Sequence, residues 1–362
     1  MIIYPTIIKY LARKFSWYLF LISLVIVVVL AVSGAFGILQ KFKSIYITPE
    51  DFWLLVLLKI PYLFNEVSTI IGFVSSLLFL RYLSNHNELI VIISSGIPIW
   101  RVFAVPIVLS FIFGTIIVTI INPISTYSLK EYERIEEKLQ NNTPQNSFLI
   151  SDTGIFFYEK YQNTNRIIQA RSINLAKKSI LDMTILIVDS KNQLLQRIDT
   201  PYSELDNGQF DLYAPVVSTA DESLTLPKLY LPTDLSINNL IQRFTPPEMI
   251  SIWYLSDVID KLTSSGLPTL SYQLHFFKQL FKPLAMSAMV FLACWFLSFD
   301  NRNSNIKTMT FALVIGLCTY FLLEIVLHIL AYGGLSPLFA TLLPILFIIL
   351  ISNFVILHFQ ES

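Results

Sequence analysis

The sequence predicts an α-helical polytopic membrane protein, with six crossings in a three-plus-three arrangement around a central β domain. Three observations carry that prediction. Of 362 residues, 54% are apolar and only 14% charged, where a soluble domain carries roughly 25% charged residues. Long charge-free runs are confined to the first and last thirds of the chain. Between them, residues 122–279 hold 14 of the 25 Lys plus Arg and 18 of the 25 Asp plus Glu. A formal net charge of zero supplies no long-range attraction to a polyanion, so nucleic acid is not an expected partner. Cys294 and Cys318 both lie in apolar runs and read as packing residues.

The first crossing is Phe15 to Gln40, twenty-six residues without charge, long enough as a helix for the roughly 30 Å hydrocarbon core. Lys9, Arg13 and Lys14 precede it, but the run exceeds a signal-peptide core and no small-x-small cleavage site follows, so a retained span is expected. Phe52 to Leu80 is interrupted by Lys59, Pro61 and Glu66, which predicts a shallow interfacial approach and then a crossing from near Pro61. Val102 to Leu129 is charge-free and is expected to end near Asn122-Pro123, because proline lacks the donor that would continue a helix. Pro283 to Phe299 and Thr308 to Leu323 give the fourth and fifth crossings. The run Ile325 to Gln360 is cut by Tyr332-Gly333-Gly334-Leu335-Ser336-Pro337, which predicts two helices and a tight loop. The expected organisation is therefore 1–121 for the first three crossings, 122–279 for the water-exposed domain with flanking connector helices, and 280–362 for the last three.

The middle block alternates. Phe148-Leu149-Ile150, Ile155 to Tyr158, Ile167-Ile168, Met183 to Val188 and Leu194-Leu195 are short β-prone runs. Asp152-Thr153-Gly154, Asp189 to Asn192 and Asp206-Asn207-Gly208 punctuate them as turns. The spacing predicts a small sandwich or partly open jellyroll. Its inward residues Phe156, Tyr158, Ile185, Ile187 and Phe210 suit either an apolar path for a ligand or an ordinary core.

Basic residues set the expected orientation. Lys9, Arg13, Lys14, Arg81, Arg101, Arg302 and Lys307 fall on one side, against Lys41, Lys43 and Lys59 on the other. Retention of Lys and Arg in the cytoplasm then places both termini inside and the central domain outside, in a periplasm where the cell has one.

Between the second and third crossings, residues 84–96 read as a separate short helix. Ser84 offers an N-cap, Glu88 favours a positive helix end, Gly96 suits a left-handed C-terminal position and Pro98 bars continuation. Leu89 to Ile93 are five consecutive apolar residues, expected to be covered either by the membrane interface and the chain itself or by a cytoplasmic partner. Glu66 and Glu324 stand within or at the edge of crossings, where an unpaired charge is expensive. Interfacial placement, or pairing with Lys41 or Lys282, is expected of them rather than a proton path. His86, His275, His328 and His358 are scattered, and HExxH, GxSxG and GxxxxGK[ST] motifs are all absent from the sequence. No resident metal, cofactor or catalytic activity is expected.

The short helix, Asn87-Glu88-Leu89 with Ser95-Gly96 and Pro98-Ile99-Trp100-Arg101, resembles the coupling helix of the LptF/LptG permeases of the lipopolysaccharide-export ABC transporter. Gly333-Gly334-Leu335-Ser336-Pro337-Leu338-Phe339-Ala340 followed by Leu343-Pro344 resembles that family's last loop and helix, more in the LptG than the LptF branch. Tyr272 to Leu284 resembles its entry to the fourth crossing, and Ser251 to Leu255 the helix just before it.

The resemblance implies an inner-membrane permease subunit, with no nucleotide site of its own, that passes lipopolysaccharide to a periplasmic bridge through a β-jellyroll. The implied partners are an LptF-like permease, a dimer of an LptB-like ATPase that binds ATP and Mg, and LptC-like and LptA-like periplasmic components. Asn87, Glu88, Leu89 and Gly96, flanked by Arg81 and Arg101, would couple to the ATPase. Lys41, Lys43, Lys278 and Lys282 are candidates for the phosphates of the lipid, as point charges that tolerate a mobile ligand. The alternatives are a permease of another lipid or lipoprotein exporter and a non-transport membrane scaffold.

Overall fold

The computed structural model describes residues 3–43, 47–139, 148–151, 154–161, 164–174, 179–188, 194–206, 208–219, 222–233, 245–264, 267–298 and 306–360. The chain divides into two compact units, one formed by Met1–Glu133 with Gln273–Ser362 and the other by Arg134–Tyr272.

The first unit is helical. Helix α1 spans Ile3–Lys41 and α2 spans Pro49–Asn85; a short α3, Glu88–Ser94, is followed by α4, Ile99–Ile116. A π-helical segment, Ile117–Ile121, joins α4 to α5, Asn122–Leu139, whose last turns belong to the second unit. After the β region and α6, Ile252–Ser264, come α7, Leu270–Leu280, α8, Lys282–Ser298, α9, Ile306–Tyr332, and α10, Pro337–Gln360. Among the described residues five helices are long and apolar enough to cross a membrane. The pair α7 and α8, bent by 56°, makes a sixth if it counts as one broken span. The chain is a multi-pass membrane protein.

Two prolines expected to end or start crossings do neither. Pro61 lies inside an unbroken α2, so the shallow approach and the crossing are one helix. The third crossing runs on through Asn122-Pro123 as a single stretch, Ile99–Glu136. The π segment shows how: Asn122 N–H reaches back five residues to Ile117 O, so the hydrogen-bond ladder has already shifted register where Pro123 withdraws its donor.

Helix α2 is the central strut, burying Leu55, Ile71, Phe73, Phe79 and Leu83, whereas α1 and α9 expose most of their apolar surface. Two glycines let helices approach closely. A Cβ on Gly114 of α4 would stand 2.6 Å from Pro283 Cα of α8, and one on Gly316 of α9 would collide with the Phe73 ring of α2. Backbone approach of this kind replaces the hydrophobic drive that lipid removes.

Among the described residues the second unit has nine strands: β1 Phe148–Ser151, β2 Gly154–Tyr161, β3 Thr164–Asn174, β4 Ser179–Val188, β5 Leu194–Asp206, β6 Gln209–Tyr213, β7 Val216–Ser218, β8 Ser223–Thr225 and β9 Lys228–Pro232. They pair antiparallel in the order β1-β2-β3-β4-β5-β6-β9, with β7 on β5 and β8 on β7. Ile168, Ile185 and Ile198 are consecutive cross-strand partners and all are buried, so alternate residues of β3, β4 and β5 form one core row. The turn residues Asp152, Thr153, Asn207 and 189–192 lie outside the described residues; Gly208 adopts φ +79°.

Candidate functional site

The junction between α2 and α4 is built by two backbone reversals. Asn87, at φ +57°, turns the chain out of α2, a conformation that asparagine tolerates better than most residues. Gly96, at φ +86°, turns it again after α3, where a Cβ would be strained. The cap is Asn87 rather than Ser84, which remains in the last turn of α2.

Between these turns α3 splits its apolar run. Ile92 is buried in the core that also holds Leu11, Phe15, Leu83, Ile97 and Phe103, and Leu89 packs against that core. Ile90, Val91 and Ile93 point outward at 61%, 64% and 42% exposure. Each such side chain gains about 1.5–3 kcal/mol on full burial, so the face is a site for a cover.

Glu88 opens the helix and faces α1, where Tyr10 Oη lies 3.0 and 2.9 Å from its two carboxylate oxygens and donates to them. Around this contact Lys14 Nζ stands 3.8 Å from the Tyr82 ring centre, and Tyr82 packs on His86 at 4.2 Å between centroids. Arg81 donates to the Met309 sulfur of α9, and Arg101 lies exposed in the first turn of α4. Tyr10 and Lys14 were legible only as a spacing: Tyr10, Lys14 and Tyr18 recur every four residues beside the core positions Leu11 and Phe15.

A second cluster lies within the helices. Lys278 Nζ of α7 is 3.1 Å from Glu66 Oε2 of α2 and 3.1 Å from Glu324 Oε1 of α9. Lys282, at the start of α8, is buried and donates to Asn65 Oδ1 and Asn65 O at 2.8 and 2.9 Å. Tyr320 Oη donates to Glu66 O at 3.2 Å. Pairing of the two glutamates is thus with Lys278, not with Lys41 or Lys282. A cavity of about 50 Å³ adjoins these groups, and an apolar cleft of about 610 Å³ opens between α8, α9 and α10.

Lys41 ends α1 and Lys43 follows in the turn, both exposed. In the β unit Ile185 and Phe210 are buried, while Phe156 and Ile187 are half-buried; of Tyr158 the backbone is described, paired with Ile167. Among the described residues no group of three or more His, Cys, Asp or Glu is placed to hold a metal ion.

A family model described as lipopolysaccharide export system permease LptF/LptG matches residues 9–358. No curated protein matches the chain.

Proposed function

The chain belongs to the LptF/LptG permease family, and from that premise we propose that it is an LptG-like subunit that lifts lipopolysaccharide out of the inner membrane. Permeases of this family are transport subunits without ATPase activity that work within a multiprotein complex, and the chain is not itself an enzyme.

The observation that carries the reading is the short helix α3, set between two membrane helices with Glu88 at its start and Ile90, Val91 and Ile93 uncovered. It has the form of a plug for a groove on an LptB-like ATPase, with Glu88 as the charged contact and Asn87, Leu89, Gly96, Arg81 and Arg101 shaping its surroundings. In our reading both termini and α3 face the cytoplasm and the β unit faces the periplasm. An LptF-like permease beside this chain in the membrane and LptC-like and LptA-like components in the periplasm complete the path.

Lys41 and Lys43, exposed at the end of α1, are the amines we assign to the lipid phosphates. Lys278 and Lys282 would serve the same ligand only by exchanging Glu66, Glu324 or Asn65 for it. For the β unit we propose a jellyroll-like trough along Ile185, Ile187 and Phe210; Phe156, paired with Gln169, and Tyr158, paired with Ile167, fall in the alternate register, on the opposite face of the sheet. The described strands form an open path in which β1 and β9 do not pair, and two contacts at the end of β9 favour the trough reading: Arg166 donates to Pro232 O, and Thr233 donates to Glu159.

Co-purification from membranes, with mass identification of bound subunits and lipids, tests the proposal. It expects a second permease, an ATPase and lipopolysaccharide; recovery of the chain with none of these would refute it.

A further inference from the structure

The contact between Glu88 and Tyr10 joins the surface proposed for the ATPase to a different helix, and this inference rests on that proposal. Helix α1 is fixed at its base: Leu11 and Phe15 are buried, and the Phe15 ring meets Phe79 edge-on at 5.5 Å. Above this base one face of α1, Phe20, Leu24, Val28, Val32 and Phe36, is exposed, while Ile22 and Ile38 on the other are buried. The helix is continuous to Lys41, so Tyr10 and Lys41 are roughly 45 Å apart along one rigid rod. Tyr10 reaches the first residue of α3 at one end of this rod, and the exposed amines stand at the other.

We propose that Tyr10 is a positioning residue that ties the docking glutamate to α1, so that engagement of α3 by the ATPase is transmitted along α1 to the lysines at its far end. The physical basis is the geometry of the acceptor. A carboxylate offers about four lone-pair sites, so Glu88 can keep the Tyr10 hydroxyl while it accepts from a cationic group of the ATPase. Movement of Glu88 with its partner then pulls on Tyr10, and the buried pair Leu11 and Phe15 makes α1 respond as a body. The contacts of Lys14 with Tyr82 and of Tyr82 with His86 bring the end of α2 to the same base of α1, so α1, α2 and α3 meet at one junction.

The test uses the complete complex in lipid nanodiscs, with a photocrosslinker at Lys43 and lipopolysaccharide as the probe lipid. Tyr10→Phe keeps the ring and removes the hydroxyl. The ATPase is expected to be recovered as in the parent, with basal ATP turnover kept. The lipopolysaccharide-stimulated part of turnover should fall about tenfold, the factor set by one hydrogen bond to a charged group, and crosslinking at Lys43 should lose its dependence on ATP. Lowered thermal stability with intact stimulation and ATP-dependent crosslinking would reduce Tyr10 to packing and overturn the inference. Val91→Asp separates the two levels of the argument: loss of ATPase recovery supports α3 as the docking surface, and full recovery removes that surface and the inference together.

Discussion

Lys282 points its ammonium into Asn65, reaching the side-chain and main-chain oxygens of one residue at 2.8 and 2.9 Å. Both partners are almost without solvent, at 4% and 2% exposure, so the bond fixes the start of α8 on the central helix α2. Lys282→Met keeps the aliphatic stem and takes the ammonium donor from the buried Asn65 Oδ1, while Asn65 O still accepts from the Ser68 hydroxyl at 2.7 Å. A loss of about 1–3 kcal/mol is expected from that desolvation, read as a lowered midpoint of thermal unfolding in detergent. An unchanged midpoint would show that the bond contributes nothing.

Lys278 neutralises two carboxylates from different helices, which predicts an asymmetry between variants. Lys278→Met takes from Glu66 and Glu324 the cation that they share and should cost more than Glu324→Gln, which removes one charge of the surplus. With side chains about a quarter exposed, the difference is expected at ~1–3 kcal/mol, below that of a fully buried pair. Unfolding of the two variants side by side checks the order, and Glu324→Gln proving the worse would refute it.

Close approach of helices at glycine predicts a steric effect. Gly316→Ala drives a methyl group into the Phe73 ring, and Gly114→Ala presses on the backbone of Pro283. Overpacking of about 1–3 kcal/mol is expected for each. Phe73→Leu should recover part of the loss at Gly316 and none at Gly114, a pattern that unfolding of the double variants measures.

At the docking surface, Glu88→Ala should leave the protein in the membrane while recovery of the ATPase in a detergent pull-down falls about tenfold, as expected for a lost charge-assisted hydrogen bond. Undiminished recovery with unchanged export would remove Glu88 from the interface.

Acid sensitivity of the β unit has a defined sign. Partial burial pushes the Asp199 carboxyl up, but hydrogen bonds from Arg197 and Thr184 and the charge of Arg197 outweigh it and hold the group below its ordinary value. A depressed folded value means that the pair stabilises the fold above the unfolded pKa, near 3.8, and that this contribution fades as pH falls below it. The effect is small because the pair is solvent-screened. Asp199→Asn should flatten the corresponding part of a stability profile taken between about pH 5 and pH 2; a profile identical to that of the parent would contradict the assignment.

The length of each apolar run determined, without further information, that the chain is embedded in a membrane, because lipid demands about twenty apolar residues per helix whatever surrounds it. The break at 332–337 and the left-handed turn at Gly96 were equally legible, since a glycine's backbone freedom is local. The β-branched run Met183 to Val188 announced a strand for the same reason, β propensity being a local property. Tertiary structure alone decided which lysine meets Glu66 and Glu324, because that depends on how α2, α7 and α9 cross, and no spacing within one helix encodes a neighbour's tilt. It also decided that Pro61 and Pro123 lie inside helices; at Pro123 a shifted hydrogen-bond register at Ile117–Ile121 absorbs a missing donor that the sequence counts as a stop. The link from Glu88 to Tyr10 belongs to the same class: two residues 78 positions apart share a hydrogen bond only because α1 and α3 are packed on one core.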